Sequence, residues 1–135
     1  MTRVPGLTKR RLVIQLGKAG YHHKVIQYHY TDWPDFGVPS SPNPLVDLVK
    51  IVRAELASLG GVCLVHCSAG VGRTGTFIAL NKIMEEIDDG TEDIDIFRVV
   101  LLLRSDRMLM VQKPAQYHFL YACTAYYLST LDGTK

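Results

Sequence analysis

Val62-Cys63-Leu64-Val65-His66 leads directly into Cys67-Ser68-Ala69-Gly70-Val71-Gly72-Arg73-Thr74-Gly75. The first five residues are a short apolar run of the kind used by a buried strand. The glycines that follow mark a turn. From Thr74 to Asp88, the residues Phe77, Leu80, Ile83, Met84 and Ile87 recur at helical spacing. The stretch reads as strand, turn, helix, which points to an α/β domain. A turn in that setting aims successive backbone N–H groups into one hollow. The helix N-terminus adds about half a positive charge there. Gly70 and Gly72 let the backbone approach a bound group with no Cβ in the way. Such a nest suits a phosphate.

Upstream, Leu45, Leu48, Val49, Val52 and Leu56 form one stripe of a helix over Leu45–Leu59, ended by Gly60-Gly61. Before it, TDWPDFGVPSSPNP at 31–44 holds four of the six prolines. Proline fixes φ and removes a donor, so this is a long ordered loop, a kind of segment that is usually functional. Residues 11–16, RLVIQL, read as a strand with Leu12, Ile14 and Leu16 on one face. GKAG at 17–20 reads as a turn, and Tyr21–Tyr30 as the second strand of a hairpin. Downstream, EEIDDGTEDID at 85–95 reads as a solvated turn. A third helix is predicted over Ile94–Leu103, and a fourth from Pro114 to about Leu131.

Composition sets the outer limits. With 135 residues, 47% apolar and 21% charged, the chain is one small domain and not a disordered segment. A net charge of +2 is too balanced for a protein that coats nucleic acid. Three cysteines (Cys63, Cys67 and Cys123) give neither a disulfide scaffold nor zinc-ligand spacing. Free thiols in a reducing compartment are expected. The opening MTRVPGLTKRR lacks the apolar stretch of a secretory signal. The longest apolar run, Val99–Leu103, is far too short to span a bilayer. There is no internal repeat or low-complexity tract.

Two side chains turn the phosphate nest into a candidate reaction site. Cys67 opens the loop and Arg73 closes it. Taken alone, Cys67 could be a buried structural thiol. A cysteine at a helix N-terminus beside an arginine, however, has a lowered pKa. A thiol near 8.5 is only about 3% thiolate at pH 7, whereas one brought to about 5.5 is about 97% thiolate. That difference represents roughly 4 kcal/mol. The thiolate can then attack phosphorus, while Arg73 offers a planar fork to two equatorial oxygens. The Thr74 hydroxyl can donate to the Cys67 sulfur when it leaves. A phenolate leaving group needs an acid, and Trp33-Pro34-Asp35 supplies a carboxylate on the proline-rich loop. Trp33, the single tryptophan, could anchor a hinge. Asp32 is the alternative acid, although its place before Trp33 suits turn or cap chemistry.

These stretches resemble protein tyrosine phosphatases of the cysteine-dependent, tyrosine-specific kind. HCSAGVGRTG at 66–75 is similar to that family's signature, WPDFGVP at 33–39 to its mobile acid loop, and MVQKPAQY at 110–117 to its glutamine loop. The likeness runs from about residue 10 to 128 and matches the C-terminal part of the catalytic domain. The resemblance implies an α/β fold: a twisted mixed sheet flanked by helices, one partial domain over 1–135 with N-terminal strands missing. It implies hydrolysis of phosphotyrosine in proteins through a phosphocysteine, in signalling, with no metal and no cofactor.

The resemblance also implies roles. Cys67 is the nucleophile. Ser68, Ala69, Gly70, Val71, Gly72 and Arg73 bind the phosphate. Asp35 is the acid and then the base. Gln112 positions water, with Gln116 supporting it. Read by itself, Gln112 would be a surface residue. His66 would tune Cys67, although a histidine there is more often a core residue. His22, His23, His29 and His118 are left as structural or exposed. The implied partners are phosphotyrosine proteins, with no nucleic acid and no membrane segment in the chain. The thiolate chemistry points to the cytoplasm, including the cytoplasmic part of a receptor, because an oxidising compartment would threaten Cys67. Lys113, Asn81, Leu101 and Leu102 depart from the family's usual residues. A non-catalytic phosphotyrosine-binding module is the alternative function. A dual-specificity phosphatase and a rhodanese-like sulfur transferase account less well for WPDFGVP.

Overall fold

The structure is a computed structural model that describes residues 4–17 and 20–133. The chain divides into two compact units, residues 1–32 and 33–135.

The first unit is a hairpin of β1 (Leu7–Leu16) and β2 (Tyr21–Tyr30). The strands are antiparallel, with Leu7 opposite Tyr30 and Leu16 opposite Tyr21. Alternating aromatic and β-branched residues favour this pleated pairing. Gly17 and Gly20 take positive φ at the two edges of the turn. Lys18 and Ala19, the middle of the expected GKAG turn, lie outside the described residues. The far end is tied by the Thr31 N–H, which donates to the Gly6 carbonyl at 2.9 Å. Leu12, Ile14 and Leu16 do not form a buried face, because all three are exposed, as is Val13. A two-stranded ribbon has no second layer of its own to bury them.

The second unit is helical: α1 (Asn43–Leu59), α2 (Gly72–Asp88), α3 (Ile96–Asp106) and α4 (Pro114–Asp132). α2 is the central element and packs on α1, α3 and α4. Leu80, Ile83 and Met84 on its inner face are fully buried, together with Leu45, Val46 and Val49 from α1 and Leu120 and Cys123 from α4. Phe77 and Ile87 reach only partial burial. On α1 the buried stripe is Leu45, Val46, Leu48 and Val49, while Val52 and Leu56 are half-buried.

α3 begins two residues later than its periodicity implied. The Asp95 side chain accepts from the Arg98 N–H at 2.9 Å and so fixes the N-cap. The acidic stretch is exposed over Asp88–Asp93, yet it is not wholly solvated. Asp88 pairs with Arg53 at 2.7 Å and accepts from the Tyr127 hydroxyl at 2.5 Å, which clips α1, α2 and α4 together. Glu86 pairs with Arg98 at 2.6 Å.

The α/β class is observed, but the expected strand Val62–His66 is not formed. Val62 is 96% exposed and Leu64 87% exposed. A strand needs neighbours to satisfy its ladder and cover its faces. Among the described residues no segment pairs with this run, and the sheet consists of β1 and β2.

Candidate active site

Residues 67–71 curl from the extended run into α2, and Gly70 takes φ +72° at the bend. The first turn of α2 carries no side-chain cap, so no side chain competes for its leading N–H groups. The Gly70 N–H instead donates to Cys67 Sγ at 3.2 Å. Burial pushes the Cys67 thiol up. The Thr74 hydroxyl and the N–H groups of Thr74, Gly70 and Val71 outweigh that and bring it down from about 9 to about 7. The Thr74 hydroxyl is buried and completes no well-aligned hydrogen bond.

The drop stops well short of the value near 5.5 reasoned from sequence, and Arg73 is not among its causes. The guanidinium is occupied elsewhere. Arg73 Nη1 donates to the Trp33 carbonyl at 3.2 Å, and Nη2 contacts Asp35 Oδ1. The charge that was expected to act on the thiolate faces the 31–44 loop.

That loop is pinned from two sides. Trp33 is buried, and its Nε1–H donates to the Gly37 carbonyl at 3.0 Å, closing the loop on itself. Gln116 Nε2 donates to the same carbonyl at 3.3 Å. Gln116 is 1% exposed, and its Oε1 accepts from the N–H groups of Gln112 and Lys113 at 3.1 and 3.2 Å. One buried amide thus joins the 31–44 loop to the 110–113 turn. Asp35 contacts Arg73, whereas Asp32 sits against Gly6 within the hairpin unit.

A cleft of about 30 Å³ is lined by Asp35, Phe36, Cys67, Ser68, Ala69, Gly72, Arg73, Gln112 and Gln116. Three distant stretches of sequence therefore meet at one spot. Their approach depends on two glycines of α2. A Cβ on Gly72 would lie 3.1–3.3 Å from the Gln112 and Gln116 amides. A Cβ on Gly75 would lie 2.4 Å from the Val111 nitrogen, whose N–H donates to the Val71 carbonyl at 3.0 Å.

Not every expected residue lines the cleft. Gly70, Val71 and Thr74 act from behind it, through the sulfur. Trp33 acts through the Gly37 carbonyl. His66 is exposed, and its Nδ1 lies 3.4 Å from the Cys67 carbonyl with no bond to the sulfur. Four residues were missed by sequence reasoning. Phe36 lines the cleft at φ +57°, with the Lys113 ammonium 5.1 Å from its ring centre. Arg107 Nε and Nη2 donate to the carbonyls of Gly70 and Ala69 at 3.2 and 3.0 Å. Arg104 donates to the Met110 and Val111 carbonyls at 2.9 and 2.7 Å. Leu109 takes φ +64° in the same turn. The one sequence signal for Arg104 and Arg107 was two arginines in a polar break between an apolar helix and the 110–117 motif. Among the described residues no cluster of three or more His, Cys, Asp or Glu could hold a metal ion. No described helix is long and apolar enough to cross a membrane.

The profile of the protein-tyrosine phosphatase family matches residues 2–126. The chain is 50% identical over 111 residues to the human phosphatidylinositol phosphatase PTPRQ, covering 82% of this chain and 5% of that protein. It is 42% identical over 118 residues to receptor-type tyrosine-protein phosphatase V of Rattus norvegicus, covering 86% and 7%. It is 40% identical over 121 residues to tyrosine-protein phosphatase corkscrew of Drosophila virilis, covering 83% and 16%. The chain thus spans a small part, 5% to 16%, of the length of these relatives. The match covers all three stretches that converge on the cleft, and the chain belongs to the protein-tyrosine phosphatase family.

Proposed function

We propose that this chain carries the chemistry of phosphotyrosine hydrolysis through a phosphocysteine. The observation that supports it most is the meeting of Cys67, Arg73, Asp35 and Gln112 around one cleft at the N-terminus of α2. The Cys67 thiolate attacks phosphorus, forming the S–P bond as the aryl O–P bond breaks. The protonated Asp35 carboxyl passes its proton to the departing phenolate oxygen. Water held by Gln112 then attacks phosphorus and gives a proton to the Asp35 carboxylate. The S–P bond breaks and the thiolate is restored. Arg73 and the N–H groups of 68–72 balance the charge on the transferring oxygens in both steps. Asp35 and Arg73 touch, so an incoming phosphate takes the place of the carboxylate at the guanidinium.

We also infer that the chain is the C-terminal portion of a larger catalytic domain. The support is uncovered apolar surface at Val62, Leu64, Phe97, Leu101 and Leu102. A cytoplasmic setting, including that of a receptor's inner part, agrees with free thiols and with the receptor-type relative.

The test is hydrolysis of a phosphotyrosine peptide by the chain, with Cys67→Ser and Asp35→Asn beside it. Cys67→Ser is expected to abolish turnover. Asp35→Asn is expected to lower kcat by ~10²–10⁴. Full activity in Cys67→Ser would refute the covalent route. The name of the 50% identical relative favours a second substrate, a phosphatidylinositol phosphate. Vesicles containing that lipid, assayed in parallel, decide between the two. Binding of the phosphopeptide by folded wild type without hydrolysis would instead favour a phosphotyrosine-binding module.

A further inference from the structure

The C-terminal end of α3 carries two arginines one turn apart, and each grips a different loop of the cleft. Arg107 holds the carbonyls of Ala69 and Gly70 through Nη2 and Nε. Arg104 holds the carbonyls of Met110 and Val111 through Nε and Nη2. Both grips are two-pronged, which fixes direction as well as distance. We propose that Arg107 and Arg104 are positioning residues with separate tasks: Arg107 sets the phosphate nest and Arg104 sets the glutamine turn.

The physical argument starts from the peptide unit. In a trans peptide unit the carbonyl and the N–H of the next residue lie in one plane and point in opposite directions. Arg107 pulls the Ala69 and Gly70 carbonyls toward α3, which turns the N–H groups of Gly70 and Val71 the other way. Those two N–H groups are among the donors that favour the Cys67 thiolate. α2 has no side-chain cap, so no capping side chain fixes the bend. Gly70, at φ +72°, gives the bend no steric support of its own.

Arg104 faces a different problem. Leu109 and Val111 both take positive φ, at 64° and 60°, which side chains with a Cβ adopt at a cost. The Arg104 bonds to the Met110 and Val111 carbonyls hold that turn in place just before Gln112. Arg104 makes no bond to the 67–71 loop, and Arg107 makes none to the 110–113 turn, among the bonds of the described residues.

The proposal rests on the phosphatase reading for the tasks it assigns, so its test includes a readout that needs no turnover. Arg107→Ala, Arg107→Lys and Arg104→Ala would be compared in the full chain, each checked by circular dichroism. The first measurement is the pH profile of Cys67 alkylation by iodoacetamide, with inorganic phosphate as protecting anion. Arg73 and Asp35, which share the cleft, are unchanged in all three variants. In Arg107→Ala the midpoint is expected to rise from about 7 to about 8, with phosphate protection weakened roughly tenfold. Arg107→Lys keeps the charge but not the fork, and is expected to fall between. Arg104→Ala is expected to leave both measurements at wild type.

The second measurement is burst kinetics on an aryl phosphate. There Arg104→Ala is expected to slow the steady state roughly tenfold and preserve the burst, because only breakdown of the phosphocysteine suffers. Should Arg107→Ala not fold, an Arg107→Lys midpoint identical to wild type overturns its assigned task. Equal shifts in the Arg107 and Arg104 variants would overturn the division of labour. Absence of hydrolysis by wild type would sink the phosphatase reading and Arg104's task with it. The alkylation profile would still judge Arg107.

Discussion

At the scale of single residues, the three cysteines differ in reactivity because their surroundings differ. Cys123 is buried in the helical core, and burial pushes its thiol up to about 12. Cys63 is exposed as a residue, yet desolvation of its sulfur still raises it. Cys67 alone is lowered, to about 7, by donors that converge on the sulfur. The sign follows directly: a lowered thiol pKa means more thiolate at a given pH. About half of Cys67 is ionised near pH 7, and well below that midpoint the thiolate fraction falls about tenfold per pH unit. Mass-mapped alkylation at pH 7 is therefore expected to label Cys67 first, at a rate that levels off above pH 8. A Cys63 rate equal to or above that of Cys67 would show that the donors do not act on the sulfur. The Thr74 hydroxyl is one of those donors, so Thr74→Val is expected to raise the Cys67 midpoint while leaving the fold intact.

At the scale of elements, two positions test how the loops are fastened. Gly75 lies on α2 where the chain at Val111 crosses it, and a Cβ there would meet backbone at 2.4 Å. Backbone cannot rotate aside as a side chain can. Gly75→Ala is therefore expected to displace the 110–113 turn and destabilise the protein by about 1–3 kcal/mol, read from urea unfolding. An unchanged midpoint would mean that the close approach is not real. Lys113 places its ammonium 5.1 Å from the Phe36 ring. That contact adds a second link between the 31–44 loop and the glutamine turn, beside Gln116. An exposed cation–π pair contributes about 0.5–1 kcal/mol. Lys113→Ala is expected to reduce loop closure by about two- to fivefold, seen as faster quenching of Trp33 fluorescence. Quenching identical to wild type would leave Lys113 with no part in the loop.

At the scale of the whole molecule, stability is concentrated around α2. Leu80, Ile83 and Met84 are fully buried between α1, α3 and α4, and the Asp88–Arg53–Tyr127 clip closes one end of that bundle. Leu80→Ala is expected to cost about 2–5 kcal/mol, because the emptied volume is walled on every side. Val62→Thr and Leu64→Thr are expected to change the unfolding midpoint little, since both side chains already face water. A large loss on either substitution would mean that the 62–66 run is covered in solution. The contrast is informative in itself. The run is composed like a central strand and sits exposed, which is where composition and local surroundings disagree.

The sequence by itself determined the helices and put forward Cys67, Arg73 and Asp35, which the structure brings to one cleft. Helical periodicity with caps and breakers marked α1, α2 and α4 within about two residues, because those signals are local. The alternation of Tyr21–Tyr30 marked the hairpin for the same reason. Cys67, Arg73 and Asp35 stood out as cleft residues because they sit in short, recognisable motifs. The start of α3 was misjudged because Asp95 caps it with a single side-chain bond that periodicity cannot see. Only the tertiary structure decided what lies between the motifs. The pairing of Arg73 with Asp35 joins residues 38 apart, and the Gln116 bond to Gly37 joins residues 79 apart. The grips of Arg104 and Arg107 depend on where α3 ends relative to α2. The Cys67 thiol settles at about 7 because four N–H and O–H groups face it, and because Arg73 faces elsewhere. Spacing along a chain specifies which groups are available. The direction in which each one points is fixed only when distant segments pack.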